Sequence, residues 1–217
     1  MSFPDQDEDG TGPDEVRTAT GVSRETMARV SAFLDVLDSW RTRINLIGPG
    51  EGPRIWRRHV LDSLQLAPVI PSAALTLADL GTGSGFPGII LACAMAERPG
   101  ARVWLVEKSV RKAEFLQAAV EALNLPATVV QARAEEAESE RCDVVTARAL
   151  APLPKLLELA AAWADSNSCL LFLKGKDATD ELQAARAGWA FDLSIQPSLS
   201  SPEGRVLSIT SLRRRTP

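Results

Sequence analysis

The sequence predicts an α/β fold, a mostly parallel seven-stranded sheet with helices on both faces and a helical cap at its N-terminal end. Three observations predict it. From Leu75 onward, short strand-like runs alternate with helical patterns, as in parallel strands joined by helical crossovers. The first run ends in a glycine-rich turn, Asp79-Leu80-Gly81-Thr82-Gly83-Ser84-Gly85-Phe86-Pro87-Gly88. A length of 217 residues, 45% of them apolar and 24% charged, suits one soluble domain with a substantial core.

The first 16 residues hold six acids (Asp5, Asp7, Glu8, Asp9, Asp14, Glu15) and no base. With Gly, Pro and Thr around them and few apolar residues, they cannot repay the entropy of ordering, so residues 1–20 are expected to be a disordered tail. The rest, 21–217, reads as a single domain, with the helical cap over 21–72 and the α/β core over 73–217. From Ser23, an available N-cap, Val30, Phe33, Leu34, Leu37 and Trp40 recur at helical spacing and predict a helix to about Arg41. The Gly/Pro turn over 48–53 leads into a second helical pattern with Ile55, Val60, Leu61, Leu64 and Ala67 on its apolar side, before Pro68 and Pro71. Strands are expected at 75–80, 102–107, 127–131, 143–148 and 169–174, with helices at 87–97, 109–123, 152–164 and 177–187. The last two runs, 191–196 and 205–212, joined by a Pro/Ser/Gly turn, predict a hairpin at the sheet edge.

The apolar run at 89–96 falls far short of the roughly 20 residues that span a bilayer. No basic region followed by an apolar one opens the chain, so a cytoplasmic protein without a membrane partner is expected. Cys93, Cys142 and Cys169 lack C-x-x-C spacing and read as small buried hydrophobes, and the single histidine, His59, cannot build a zinc site alone; no metal is expected. The formal charge of −4 is set by the tail, without which 22 acids face 24 bases. Arginines gather at Arg41, Arg43, Arg54, Arg57 and Arg58, and again at Arg213, Arg214 and Arg215. The clusters suit a phosphate backbone and equally a solvated surface, and the last three also read as a frayed tail.

In an open parallel sheet, ligands bind beyond the carboxyl ends of the strands, where the strand order reverses. Gly81, Gly83 and Gly85 remove side chains where the backbone must approach a ligand, and Pro87 suits the first turn of the next helix. A literal G-x-G-x-x-G match at Gly83, Gly85 and Gly88 would suggest a dinucleotide, but it comes two residues late. The glycines begin at Gly81, directly after the strand and preceded by Asp79, giving D-x-G-x-G-x-G, the form typical of S-adenosylmethionine enzymes. Glu107, 28 positions after Asp79, ends the second strand, where a carboxylate can accept ribose hydroxyls. Ala134 and Glu135, after the third strand, lie where an adenine would rest, and Arg148 ends the fourth strand at the same edge.

Beyond the turn stand Ile44-Asn45-Leu46, Arg58-His59-Val60-Leu61-Asp62-Ser63, Arg111-Lys112 with Phe115-Leu116, Thr146-Ala147-Arg148-Ala149 and Leu173-Lys174-Gly175. Together with the turn, they make the chain resemble, over about 24–212, the RsmG (GidB) family of bacterial guanine-N7 methyltransferases acting on small-subunit (16S) ribosomal RNA. The combination of R-H-x-L-D-S, G-T-G-x-G-x-P-G and A-R-A is specific. The resemblance implies the Rossmann-like class I S-adenosylmethionine-dependent methyltransferase fold, with S-adenosylmethionine as cofactor. It implies 16S ribosomal RNA or the small ribosomal subunit as partner and a target loop near the decoding site; a monomer is expected. Cofactor contacts are implied around Asp79, Gly81, Gly83, Gly85, Phe86, Ala134, Glu135 and Arg148, with Glu107 on the ribose where many relatives have aspartate. Asn45, His59, Arg111, Arg133 and Lys174 match positions on the RNA side.

Guanine N7 carries a lone pair on a neutral base and attacks a sulfonium methyl without losing a proton, so no general base is required and no catalytic residue is singled out. Positive charge moves onto the ring during transfer, so Lys174 and the arginines are assigned to phosphates or to O6. The N7 edge is inaccessible in A-form RNA, so the target should be unpaired. His59 reads as a structural histidine or a substrate contact, and Asn45 as a cap or an RNA contact. Two other functions stay open: a methyltransferase of another substrate, and a noncatalytic RNA-binding factor with the cofactor fold.

Overall fold

In a computed structural model, the chain is described over residues 3–138 and 140–215. Strands β1 (Thr76–Leu80), β2 (Arg102–Val106), β3 (Ala127–Val130), β4 (Val144–Arg148), β5 (Cys169–Lys174), β6 (Trp189–Pro197) and β7 (Arg205–Arg214) form one sheet in the order β3-β2-β1-β4-β5-β7-β6. The first five run parallel, and β7 lies antiparallel between β5 and β6. Strand order reverses between β1 and β4, which opens a crevice at their carboxyl ends. Central strands such as β4 and β5 are buried almost throughout, which is why they read as continuous apolar runs rather than alternating ones.

Successive residues feed two cores. Leu77, Val144 and Leu171 face the layer of α2 (Arg24–Trp40), α4 (Gly88–Met95) and α5 (Val110–Leu123). Ala78, Val145 and Phe172 face α6 (Leu153–Ala160) and α7 (Ala178–Gly188). Helix α4 is apolar all round because α2 covers the side that the sheet does not. The Ser23 side chain caps α2 by accepting from Thr26 N at 2.9 Å, and the Ser23 and Thr26 hydroxyls both donate to Glu97, just beyond α4.

The second helical pattern is not one α-helix. Trp56–Leu61 is wound as a π-helix that continues into a short α3 (Asp62–Leu64), and Ser63 Oγ donates to the His59 carbonyl at 2.7 Å. The tail also differs from expectation, since residues 3–20 are ordered and include α1 (Pro13–Thr20). Composition misses how its polar groups are met. Glu15 accepts from Gly12 N at 3.1 Å, Val16 is buried, and the Asp7 carboxylate accepts from the amides of Trp56 and Arg57 at 3.1 and 2.7 Å. At the other end, β7 extends through Arg214 rather than fraying; Arg213 pairs with Ala190, and the Arg214 guanidinium lies 4.8 Å from the Trp189 ring centre.

Among the described residues no helix is long and apolar enough to cross a membrane. None of their His, Cys, Asp and Glu side chains group to hold a metal ion. All three cysteines are buried and unpaired, and burial pushes the Cys93 and Cys142 thiols up to about 12.

Candidate active site

Strand register brings the chemistry to one edge. Leu80 pairs with Val106 on one side and Ala147 on the other, and Arg148 pairs with Leu173. The next residues along these strands, Gly81, Glu107, Arg148 and Lys174, therefore reach the carboxyl edge together. Gly81 N and Thr82 N both donate to the Val106 carbonyl, at 2.9 and 3.0 Å, which bends the turn over β2.

Two glycines of the turn serve different ends. Gly83 has φ +62°, and a Cβ there would touch only the Gly81 carbonyl at 3.7 Å, so the backbone lies open to a ligand. At Gly88 a Cβ would stand 2.5 Å from Asp79 Oδ2 and 2.6 Å from Leu105, so this glycine lets α4 pack onto β1 and β2. Asp79 is fully buried beneath the turn. Its Oδ1 accepts from Thr146 Oγ1 at 2.7 Å, its Oδ2 lies against Gly88 with no hydrogen-bond partner among the described residues, and burial raises its pKa to about 6. The structure thus places Asp79 as a brace under the turn rather than on its open side.

Glu107 clamps the turn to the start of α5, its two carboxylate oxygens accepting from Gly83 N at 2.9 Å and Ser109 N at 2.7 Å. Each oxygen keeps a further lone pair for a ribose hydroxyl. Beyond β3, Ala134 is buried and Glu135 exposed, with Arg133 Nη1 3.8 Å from Glu135 and its Nε 3.9 Å from Glu136. An open glycine backbone, an acid at the second strand end and a small residue at the third fit a nucleoside-bearing cofactor.

On the other side of the turn, a second network joins three segments distant in sequence. Arg148, at the end of β4, donates to the Arg58 carbonyl and Asp62 Oδ2, both at 3.2 Å, and to His59 Nδ1 at 2.9 Å. Its guanidinium sits 5.5 Å from the Phe86 ring centre, and the His59 ring packs 4.9 Å from the same ring. Phe86 is itself buried edge-on against Phe33 of α2, so it forms a wall between the turn and this network. His59 Nε2 stands 3.2 Å from Glu51 Oε2, which also accepts from Gly48 N at 3.0 Å, while Glu51 Oε1 takes Arg58 Nε at 2.8 Å. Burial and the Arg148 charge hold the His59 imidazole down to about 4, and the bond from Arg58 leads in holding Glu51 down to about 2.

A cleft of about 1330 Å³ opens here, touched by Ser84 of the turn and by His59, Arg148, Leu150 and Lys174. Lys174 Nζ donates to the Ala151 carbonyl at 2.9 Å and pairs with Glu181 at 2.5 Å. Asn45, Arg111 and Arg133 are exposed and lie outside the cleft lining. Sequence reasoning missed Glu51, which stands in a Gly/Pro turn that reads as a linker, and assigned no role to Asp62, whose place in R-H-x-L-D-S was the available signal. The cleft also has an unforeseen acidic wall, formed by Asp7, Glu8 and Asp9.

Known proteins resemble the chain both in sequence and in fold. The family profile for rRNA small subunit methyltransferase G (GidB) matches residues 26–207. Ribosomal RNA small subunit methyltransferase G of Paramagnetospirillum magneticum is 45% identical over 203 residues, covering 94% of this chain and 97% of the relative. Its namesake in Hyphomonas neptunium is 46% identical, covering 91% and 93%. Among solved structures, a TehB-like SAM-dependent methyltransferase from Corynebacterium glutamicum superposes with a TM-score of 0.55 at 14% identity, over 84% of this chain and 99% of that one. The O-methyltransferase from Bacillus cereus in complex with SAH gives 0.54 at 14% identity, over 84% and 90%. These structural likenesses establish the class I S-adenosylmethionine-dependent methyltransferase fold. The matched family profile and the full-length relatives go further: the chain belongs to the rRNA small subunit methyltransferase G (GidB) family.

Proposed function

We propose that this chain, a cytoplasmic monomer, transfers the methyl group of S-adenosylmethionine to N7 of a guanine in 16S ribosomal RNA, in the loop near the decoding site. The observation that carries the reading is the meeting of R-H-x-L-D-S, A-R-A and the glycine turn at one cleft. The bound cofactor supplies an electrophilic methyl on a sulfonium. Glu107 receives the ribose, Ala134 and Glu135 border the adenine, and the backbone at Gly81 and Gly83 borders the remainder.

The chain's task is then to hold an unpaired guanine with N7 in line with the methyl and to exclude water. No proton has to leave N7. His59 suits that economy, because it is neutral above about pH 4 and both its nitrogens are engaged. Charge on the cleft wall is balanced too. Arg148 is paired with Asp62 and Lys174 with Glu181, so neither cation stands uncompensated where positive charge develops on the guanine. Phosphates fall to more exposed bases such as Arg58, whose side chain is 62% exposed.

Incubating the protein with methyl-labelled S-adenosylmethionine and small subunits from cells lacking this methylation tests the reading. Label in 16S RNA and one new strand scission under chemistry selective for N7-methylguanine are expected. Label confined to protein, or to a base that resists such scission, refutes it.

A further inference from the structure

We infer that Glu51 is a positioning residue for methyl transfer: by accepting the His59 Nε2 proton it holds the imidazole with Nδ1 turned to Arg148, and so fixes that guanidinium at the rim of the cleft. The inference rests on the cleft being the methyl-transfer site. A guanidinium has donors only. His59 Nδ1, 2.9 Å from Arg148 Nη2, must therefore be the bare nitrogen, and the ring proton sits on Nε2. There it meets Glu51 Oε2 at 3.2 Å, the one acceptor that the described residues offer to that nitrogen.

Glu51 is itself held, by Gly48 N at 3.0 Å and Arg58 Nε at 2.8 Å, so its carboxylate is aimed before substrate arrives. His59 is 6% exposed, and Phe86 packs on its ring, so water is a poor substitute for the missing acceptor. Without Glu51 the Nε2 proton is left buried with no acceptor, so the ring gains by turning toward solvent, and Arg148 loses its partner at Nδ1. The guanidinium would then turn away, retaining Asp62 and the Arg58 carbonyl but losing its register over Phe86. The hydrogen bonds of Glu51 go to Gly48, Arg58 and His59 and not to the glycine turn, so its effect falls on the rate of transfer and not on cofactor binding.

His59 is the only histidine among 217 residues, so a long-range ¹H–¹⁵N imidazole spectrum of the whole chain reports this one ring. The wild-type protein is expected to show the Nε2–H tautomer. Glu51→Gln keeps an acceptor for Nε2 and gives up mainly the exposed Arg58 pair; it should preserve both the tautomer and kcat. Glu51→Ala should move the Nδ1 ¹⁵N resonance, as the ring turns away from Arg148, and lower kcat on the order of tenfold, the worth of one hydrogen bond, with KM for S-adenosylmethionine unchanged. A wild-type ring protonated on Nδ1 overturns the inference even if the alanine variant does not fold. So does a Glu51→Ala protein with an unaltered Nδ1 resonance, or one with an altered resonance and wild-type kcat. The spectra need no RNA, so a chain that methylates something other than 16S RNA fails the functional reading while the relay is still judged by its imidazole resonances.

Discussion

His59 and Asp79 are both buried, and they respond to pH in opposite senses. The folded His59 titrates at about 4 against an ordinary 6.5, so in that interval only the unfolded chain takes up the proton. Its contribution to stability is complete above about 6.5 and drains away as pH falls toward 4, by at most about 3 kcal/mol. Asp79, raised to about 6 from 3.8, contributes stability below 3.8 that is lost as pH rises through 6. Urea titrations should therefore show the advantage of wild type over His59→Gln shrinking from pH 6.5 to 4, and that over Asp79→Asn growing as pH falls from 6; gaps constant with pH contradict both assignments. The two glycines separate in the same way. Gly88→Ala puts a methyl against Asp79 and Leu105 and should cost roughly 1–3 kcal/mol in thermal stability. Gly83→Ala meets no close neighbour, so its stability cost is only that of a left-handed φ of +62°, roughly 1–2 kcal/mol, and it alone of the two should also lower calorimetric affinity for S-adenosylmethionine; an affinity loss at Gly88 and none at Gly83 would contradict an open side at Gly83. At this scale the strand-end positions of the glycines, Glu107 and Arg148 were legible, because they are tied to backbone shape and strand ends, but the bonds of Arg148 to His59 and Asp62 were not. Glu51 was not, because a lone acid in a Gly/Pro turn has no periodicity to give it away. Asp79 was read as facing the cofactor, and only burial reveals it as a brace.

Among the elements, β4 and β5 were recognisable from the sequence because strands buried on both faces are unbroken apolar runs. The π-helix was not. Ile55, Val60, Leu61 and Leu64 all end up buried, as an α-helical reading also requires, so the apolar pattern cannot tell the two windings apart. The difference matters for function, since Arg58, His59 and Asp62 from this stretch all meet Arg148. Helix α2 is fastened to α4 by polar contacts that its apolar periodicity does not reveal: Glu97 accepts from the Ser23 and Thr26 hydroxyls and pairs with Arg29 at 3.4 Å. Glu97→Ala should lower stability by about 1–2 kcal/mol without changing cofactor affinity, as chemical denaturation and calorimetry can check. A stability within error of wild type would show that apolar packing alone holds the cap.

Across the whole molecule, two chemical surfaces share one sheet edge. The strand-end grouping of Gly83, Glu107 and Ala134, proposed to receive the nucleoside, follows from the glycine register and strand order; the proposed acceptor side needed long-range contacts to assemble. Charge is where composition misled most. The acids at the N-terminus read as a detached tail, yet Asp7, Glu8 and Asp9 line the cleft, with Asp9 paired to Arg57. RNA phosphates approaching that wall meet like charge. A chain lacking residues 1–11, and with them four acids, should bind 16S RNA more tightly and with a steeper salt dependence; unchanged or weaker binding would mean that the RNA enters elsewhere. The central claim is that the glycine turn and the His59–Arg148 cleft are two halves of one methyl-transfer site. A crystal structure with S-adenosylhomocysteine tests it most directly. The ribose should lie on Glu107, the adenine beside Ala134, and the sulfur should face the cleft at Ser84 and Arg148. A cofactor bound away from the turn, or with its sulfur turned from that cleft, would contradict the account.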